Sequence, residues 1–168
     1  LDDVSLTVRQ GTVTALVGES GGGKSTIANL IARFWDVQEG TVNIGGVDVC
    51  DMDYGEWMKR VSIVFQDTSL FKMSILENVA TFCPDATREE ILRALHLAQC
   101  DDILEKLPDG VDTVIGTKGI YPSGGEMQRI ALARAILKDA PVILLDEATA
   151  FADAENEYLI QKALDELL

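Results

Sequence analysis

Apolar positions recur along this chain with two periods, and the switches between them predict its elements. Val4, Leu6 and Val8 alternate with polar residues, Gln10-Gly11 reads as a turn, and residues 13–17 run back, which predicts an antiparallel hairpin. The returning run becomes wholly apolar at Ala15-Leu16-Val17, the pattern of a strand covered on both faces. A Gly-rich stretch follows at 18–23. A helix is predicted from about Lys24, with Ile27, Leu30, Ile31 and Phe34 on one face. Short strands at 41–44 and 47–49 flank a Gly45-Gly46 turn, and 61–65 is a further buried strand. From Asp67 to about Lys138 the period is helical. Ile91, Leu92, Leu95 and Ala98 share one face, and a helix beginning near Ser123 carries Met127, Ile130, Ala131 and Arg134. Residues 142–145 form a second fully apolar strand that ends in Asp146-Glu147. A last helix holds Leu159, Ile160, Ala163, Leu164 and Leu167. Strands alternating with helices predict an α/β fold with a mostly parallel sheet covered on both faces, the helical middle being an insertion.

Composition narrows the class. The 168 residues, 47% hydrophobic and 25% charged, are those of one soluble globular domain rather than a disordered chain. No run approaches the roughly 18 apolar residues of a membrane span. Leu1-Asp2-Asp3 opens without a signal-peptide pattern, and the missing initiator Met suggests a piece of a longer chain. Fourteen Lys and Arg against 28 Asp and Glu give a net charge of −14. That balance argues against binding nucleic acid or anionic lipid directly, so contact with a membrane would run through a protein partner. Cys50, Cys83 and Cys100 are widely spaced and form no metal-ligand pattern, as expected of reduced thiols in a cytosolic compartment.

Three motifs carry chemistry. Gly18-Glu19-Ser20-Gly21-Gly22-Gly23-Lys24-Ser25, followed by Thr26, matches G-x-x-x-x-G-K-[ST] between an apolar run and an amphipathic helix. Glycines let backbone N–H groups close on phosphate oxygens, and the helix points its positive end at the same anion. Lys24 adds a point charge for the β- and γ-phosphates, and the Ser25 hydroxyl can ligate Mg²⁺. The second motif is the strand that delivers Asp146 and Glu147 to a sheet edge. There Asp146 can hold the Mg²⁺ shell and Glu147 can polarise an attacking water. The third, Ser123-Gly124-Gly125-Glu126, is either an anion-friendly helix start or a capping box closed by Glu126.

The order of these motifs, with Gln66 between the first and third and Ala148-Thr149-Ala150-Phe151-Ala152-Asp153 after the last, resembles the nucleotide-binding domain of an ABC transporter. Val64-Phe65-Gln66-Asp67, Leu70-Phe71 and Ile75-Leu76-Glu77-Asn78-Val79 are similar to the exporter type. The resemblance covers essentially the whole chain. It implies a P-loop NTPase with a RecA-like core at about 1–66 and 139–168 and a helical subdomain at about 67–138. It implies an ATPase using ATP and Mg²⁺. Gly18, Glu19, Ser20, Gly21, Gly22, Gly23, Lys24, Ser25 and Thr26 would hold the phosphates, with Gln66 joining Ser25 and Asp146 at the metal. Glu147 and Lys24 would be catalytic. Residues 122–126 would be the signature, with Ser123, Gly124, Gly125 and Glu126 reaching ATP on the opposite protomer.

The implied partners are a second such domain, head to tail in a homo- or heterodimer, and a transmembrane domain fused upstream. The implied location is the cytoplasmic face of the cell membrane. A subset with this architecture moves siderophores or metal chelates inward. Pro122 stands where the family usually has Leu, and Thr117 where exporters often have Glu. The switch histidine would fall past Leu168, and the adenine-stacking aromatic before Leu1. Two rival readings share the motifs: a soluble ABC-type ATPase acting on nucleic acid or ribosomes, and a regulatory partner that does not hydrolyse. The acidic charge and the 64–79 segment weigh against the first, and Glu147 against the second. His96 reads as a structural or surface residue and Trp35 and Trp57 as packing residues. Met52, Met58 and Met73 read as core filling or as a docking surface.

Overall fold

A computed structural model describes residues 1, 3–65, 68–116, 120–146 and 154–167, and its chain divides into two compact units, Leu1–Val61 and Ser62–Leu168. Helices and two small sheets make it an α/β chain. None of the described helices is long and apolar enough to cross a membrane.

The first unit holds α1 (Lys24–Ile31), the antiparallel pair β1 (Asn43–Ile44) and β2 (Val47–Asp48), a 3-10 turn at Val49–Asp51, and α2 (Tyr54–Arg60). The Gly45-Gly46 turn behaves as predicted: both glycines take positive φ, and Ile44 pairs with Val47. Asp53 caps α2 by accepting from the Glu56 N–H. Packing centres on Trp57, Val49, Ala32 and Val61, all buried.

The hairpin predicted over residues 4–17 does not form. The chain does turn at Gln10-Gly11, where Gly11 has φ +69° and the Thr12 hydroxyl bonds the Arg9 carbonyl at 2.7 Å. No ladder follows, and the apolar run lies open, with Val13 68% and Val17 92% exposed. Alternation fits a strand only where another layer covers one face, and two strands alone are marginal in water. Two further expectations shift. The apolar face of α1 is only half-buried and Phe34 is exposed, while Trp35 is 65% exposed rather than packed.

The second unit is entered along β3 (Val61–Val64), which pairs with β4 (Val142–Leu145), and the Asp146 N–H extends the pairing to the Val64 carbonyl at 3.0 Å. The apolar β4 is half-buried throughout rather than fully covered. Between the strands lie α3 (Ile75–Ala80), α4 (Arg88–Leu97), α5 (Asp101–Lys106), a 3-10 turn at Gly110–Asp112 and α6 (Gly124–Lys138), with α7 (Ala154–Leu167) after β4. α6 is the centre: α3, α4 and α7 all pack on it. Its buried positions run almost around the helix, and Ala131, Ala133 and Ala135 let its neighbours approach. Ile75, Val79, Ile91, Leu95, Leu132 and Ile160 fill the contacts. Leu92, predicted for the buried face of α4, is exposed, and Ala94 takes its place.

Three helices of this unit start identically. Ser74, Thr87 and Ser123 cap α3, α4 and α6, and Glu77, Glu90 and Glu126 return to the cap N–H groups. These bonds hold the Glu77 and Glu90 carboxyls below the ordinary glutamate range. All three cysteines are free, and burial pushes the Cys100 thiol up to about 12. His96 is exposed, its Nδ1 2.6 Å from Asp101 Oδ2.

Candidate functional site

In the first unit, residues 18–23 form a tight loop ahead of α1, whose first residues are Lys24 and Ser25. The Gly22 N–H bonds the Glu19 carbonyl at 3.1 Å, and Gly21 and Gly23 take φ +80° and +87°, values an L side chain resists. A Cβ on Gly22 would sit 3.0 Å from the Glu19 carbonyl oxygen. Gly23 is the N-cap of α1 and brings no capping side chain, so this helix start is not closed by its own cap. The Lys24 ammonium curls back and donates to the Gly18 and Glu19 carbonyls, each at 2.9 Å. These bonds tie carbonyls to the lysine and fix the loop's curl. Ser20, Ser25 and Thr26 are exposed. The loop therefore presents the chemistry an anion needs: a helix start, left-handed glycines and a cation at one turn.

The second glycine-rich turn opens α6. Ser123 Oγ accepts from the Glu126 N–H at 3.3 Å, and Glu126 Oε2 accepts from the Ser123 N–H at 2.8 Å. Of the two readings of this turn, the capping box is formed in full. Gly124 is exposed and Gly125 buried. A Cβ on Gly125 would lie 2.6 Å from Asn156 Cγ and 2.7 Å from its Cβ, so glycine here admits α7 against α6. Pro122 separates two shallow hollows of about 230 and 250 Å³.

Asp146 lies half-buried at the end of β4, as the strand pattern predicts. Gln66, Glu147, Thr117 and residues 148–153 fall outside the described residues. Among the described residues no group of three or more His, Cys, Asp or Glu could hold a metal by itself. The Ser25 hydroxyl and Asp146 carboxylate are hard oxygen donors. They suit Mg²⁺, which takes few protein ligands and completes its shell with phosphate and water.

Two polar groups inside the second unit escaped the sequence reading. Arg129, 1% exposed on α6, grips Asp102 of α5 with Nη1 at 2.6 Å and Nη2 at 3.1 Å, and also donates to the Gln99 carbonyl. The guanidinium holds the Asp102 carboxyl below the usual aspartate range. Asn78, fully buried on α3, accepts from the Phe71 N–H and from Arg134 Nη2 and donates to the Phe71, Met73 and Ser74 carbonyls. Arg134 also reaches the Ser69 and Asn78 carbonyls. The segment just past Gln66 is thereby tied to α6. Ser74 also bridges Val114, which joins the same segment to the chain that leads toward Ser123. A buried Asn on α3 paired with a half-buried Arg on α6 has no local sequence pattern, and only the charge of Arg129 and Arg134 inside an apolar helix hinted at partners.

The family model described as ABC transporter matches residues 1–150. The mycobactin import ATP-binding/permease protein IrtA of Mycobacterium tuberculosis is 52% identical over 99% of this chain, which covers 19% of that protein. ABC transporter B family member 28 of Arabidopsis thaliana is 48% identical over the whole chain, 24% of its own length. The ATP-dependent lipid A-core flippase of Legionella pneumophila is 44% identical over the whole chain, 29% of its length. The chain thus spans less than a third of these curated relatives.

Proposed function

The chain belongs to the ABC transporter family, and we propose that it is the ATP-binding and ATP-hydrolysing domain of a transporter with exporter-type architecture. One observation carries this reading: Lys24 bonded to the Gly18 and Glu19 carbonyls in a loop with left-handed Gly21 and Gly23 at the start of α1. That arrangement places a cation, left-handed glycines and an uncapped helix start at one turn, the set a phosphate chain requires.

In the proposed reaction, backbone N–H groups of residues 18–25 and Lys24 bind the β- and γ-phosphates of ATP. The hydroxyl of Ser25, the side-chain amide of Gln66 and the carboxylate of Asp146 would hold Mg²⁺. Bound Mg²⁺ supplies charge neutralisation to the phosphoryl oxygens. Glu147 orients a water in line with the γ-phosphate and takes its proton as attack proceeds. Ser123, Gly124, Gly125 and Glu126 complete the site of a second copy or a related domain, head to tail. The fold behind this is a P-loop NTPase core with a mostly parallel sheet, residues of about 67–138 forming the inserted helical subdomain. A transmembrane domain on the same polypeptide would hold the chain at the cytoplasmic face of the membrane. The permease named in the IrtA relative supports that arrangement.

Glu147→Gln in the complete polypeptide tests the reading. Turnover should fall by about 100- to 10,000-fold while ATP binding persists, so nucleotide-bound dimers accumulate. Ordinary turnover in that variant would remove Glu147 as the base. Failure of the unaltered protein to bind or hydrolyse ATP would end the proposal.

A further inference from the structure

The nucleotide-facing turn of α6 contains its own electrostatic difficulty. Glu126 occupies the first turn of the helix, folded back on the Ser123 N–H at 2.8 Å. A carboxylate there suits a helix start facing water, but it repels any phosphate approaching the same turn. The structure also holds a compensating charge. Lys106 Nζ, at the last residue of α5, stands 3.5 Å from Glu126 Oε1. Its ammonium is held in place from the other side by Asp102 Oδ2 at 3.3 Å. Asp102 is in turn gripped by the buried Arg129, one turn further along α6. The four groups form a closed circuit, Glu126 to Lys106 to Asp102 to Arg129, which leaves α6 and returns to it through α5. The Glu126 side chain is largely covered, and it shares with Lys106 the wall of the hollow bounded by Ile103, Leu107 and Pro122. The lysine itself is 65% exposed, so the pair is covered on the carboxylate side and open to solvent on the ammonium side.

We propose that Lys106 is the counter-charge that allows an acidic residue in this nucleotide-contacting turn, and that Asp102 is a positioning residue that holds its ammonium there. The proposal rests on the reading of residues 123–126 as a contact to ATP. Lys106 touches no substrate. It acts by neutralising Glu126, so its removal weakens ATP binding and spares the chemical step.

Steady-state ATP turnover of the complete polypeptide tests this with Lys106→Met and, as a second neutral replacement, Lys106→Gln. KM for ATP should rise about three- to five-fold in both, the upper range for a single ion pair, with kcat within two-fold of the unaltered protein. Lys106→Arg should keep KM close to the original. The decisive variant is Glu126→Gln combined with Lys106→Met. A neutral amide needs no counter-charge, so its KM should match that of Glu126→Gln alone. A purely structural role for Lys106 would leave the double variant as impaired as Lys106→Met. An unchanged KM in Lys106→Met, or no rescue by Glu126→Gln, overturns the proposal while ATP turnover by the unaltered protein still upholds the assigned function. Absence of ATP binding by the unaltered protein removes both together.

Discussion

The two glycine-rich turns that open α1 and α6 have similar composition and different physics. At 18–25 the glycines serve the backbone: Gly21 and Gly23 sit at positive φ, no side chain caps the helix, and a lysine folds inward onto carbonyls. At 123–126 a serine and a glutamate close the helix start, and Gly125 is small because Asn156 of α7 occupies the space beside it. One turn is held by its own backbone and by Lys24, with its helix start left uncapped. The other is a well-capped, well-packed helix start whose ligand role would be added to a structural one. Glycine content alone does not separate the two cases. Positive φ marks Gly23, where a Cβ would also meet Leu1 Cδ2 at 2.6 Å, whereas Gly125 is marked only by its neighbour Asn156.

Paired substitutions should break that contrast most sharply. Lys24→Ala should lower ATP turnover by about 100-fold or more, because a charge aimed at developing phosphate charge is lost. Its effect on stability should stay within about 0.5 kcal/mol, since its bonds lie at the surface. Ser123→Ala should have the opposite weighting in stability, costing about 1 kcal/mol through the lost cap. Turnover assays beside denaturant unfolding of both variants decide the matter. Equal stability losses would erase the distinction.

The glycines give a second, smaller contrast. Gly125→Ala should cost about 1–3 kcal/mol by overpacking against Asn156. Gly23→Ala should cost about 1–2 kcal/mol through the left-handed backbone itself. A double-mutant cycle with Asn156→Gly should show coupling of about 0.5 kcal/mol or more for Gly125→Ala and none for Gly23→Ala. Coupling at both sites, or at neither, would show that the two glycines serve one purpose.

The smallest effect concerns acid. Arg129 depresses the folded-state pKa of Asp102. Its contribution is therefore complete above the unfolded aspartate value and is lost as pH falls through the lower folded value. Unfolding of the unaltered protein and of Asp102→Asn should differ at neutral pH, and the gap should begin to narrow only once pH falls below about 3.8. A gap that widened in acid would contradict the Arg129 pairing.

How much of this was readable in the sequence follows from the reach of each interaction. The curl of residues 18–25 is legible because it is local: the carbonyls that bond Lys24 lie five and six residues behind it. The Gly45-Gly46 turn and the Ser123 cap were legible for the same reason. Ser74-x-x-Glu77 and Thr87-x-x-Glu90 carried the same capping signal and were passed over as part of a helical stretch. The hairpin failed because alternation states what a strand would need and cannot supply the layer that covers Val13 and Val17. The packing reason for Gly125 is not local, because Asn156, whose side chain crowds it, lies far along the chain. The pairs Asn78–Arg134 and Asp102–Arg129 are long-range too, and nothing in residue spacing selects one buried cation's partner among many acids and amides.

Asn78 has one more consequence. A single amide fastens the stretch from Phe71 to Ser74, and Arg134 clasps both that amide and the Ser69 carbonyl from α6. The stretch from Ser69 to Ser74 is thereby fastened to α6, the longest helix among the described residues. A push on Phe71, which is exposed, would load the bonds from Asn78 and Arg134 that lead to α6.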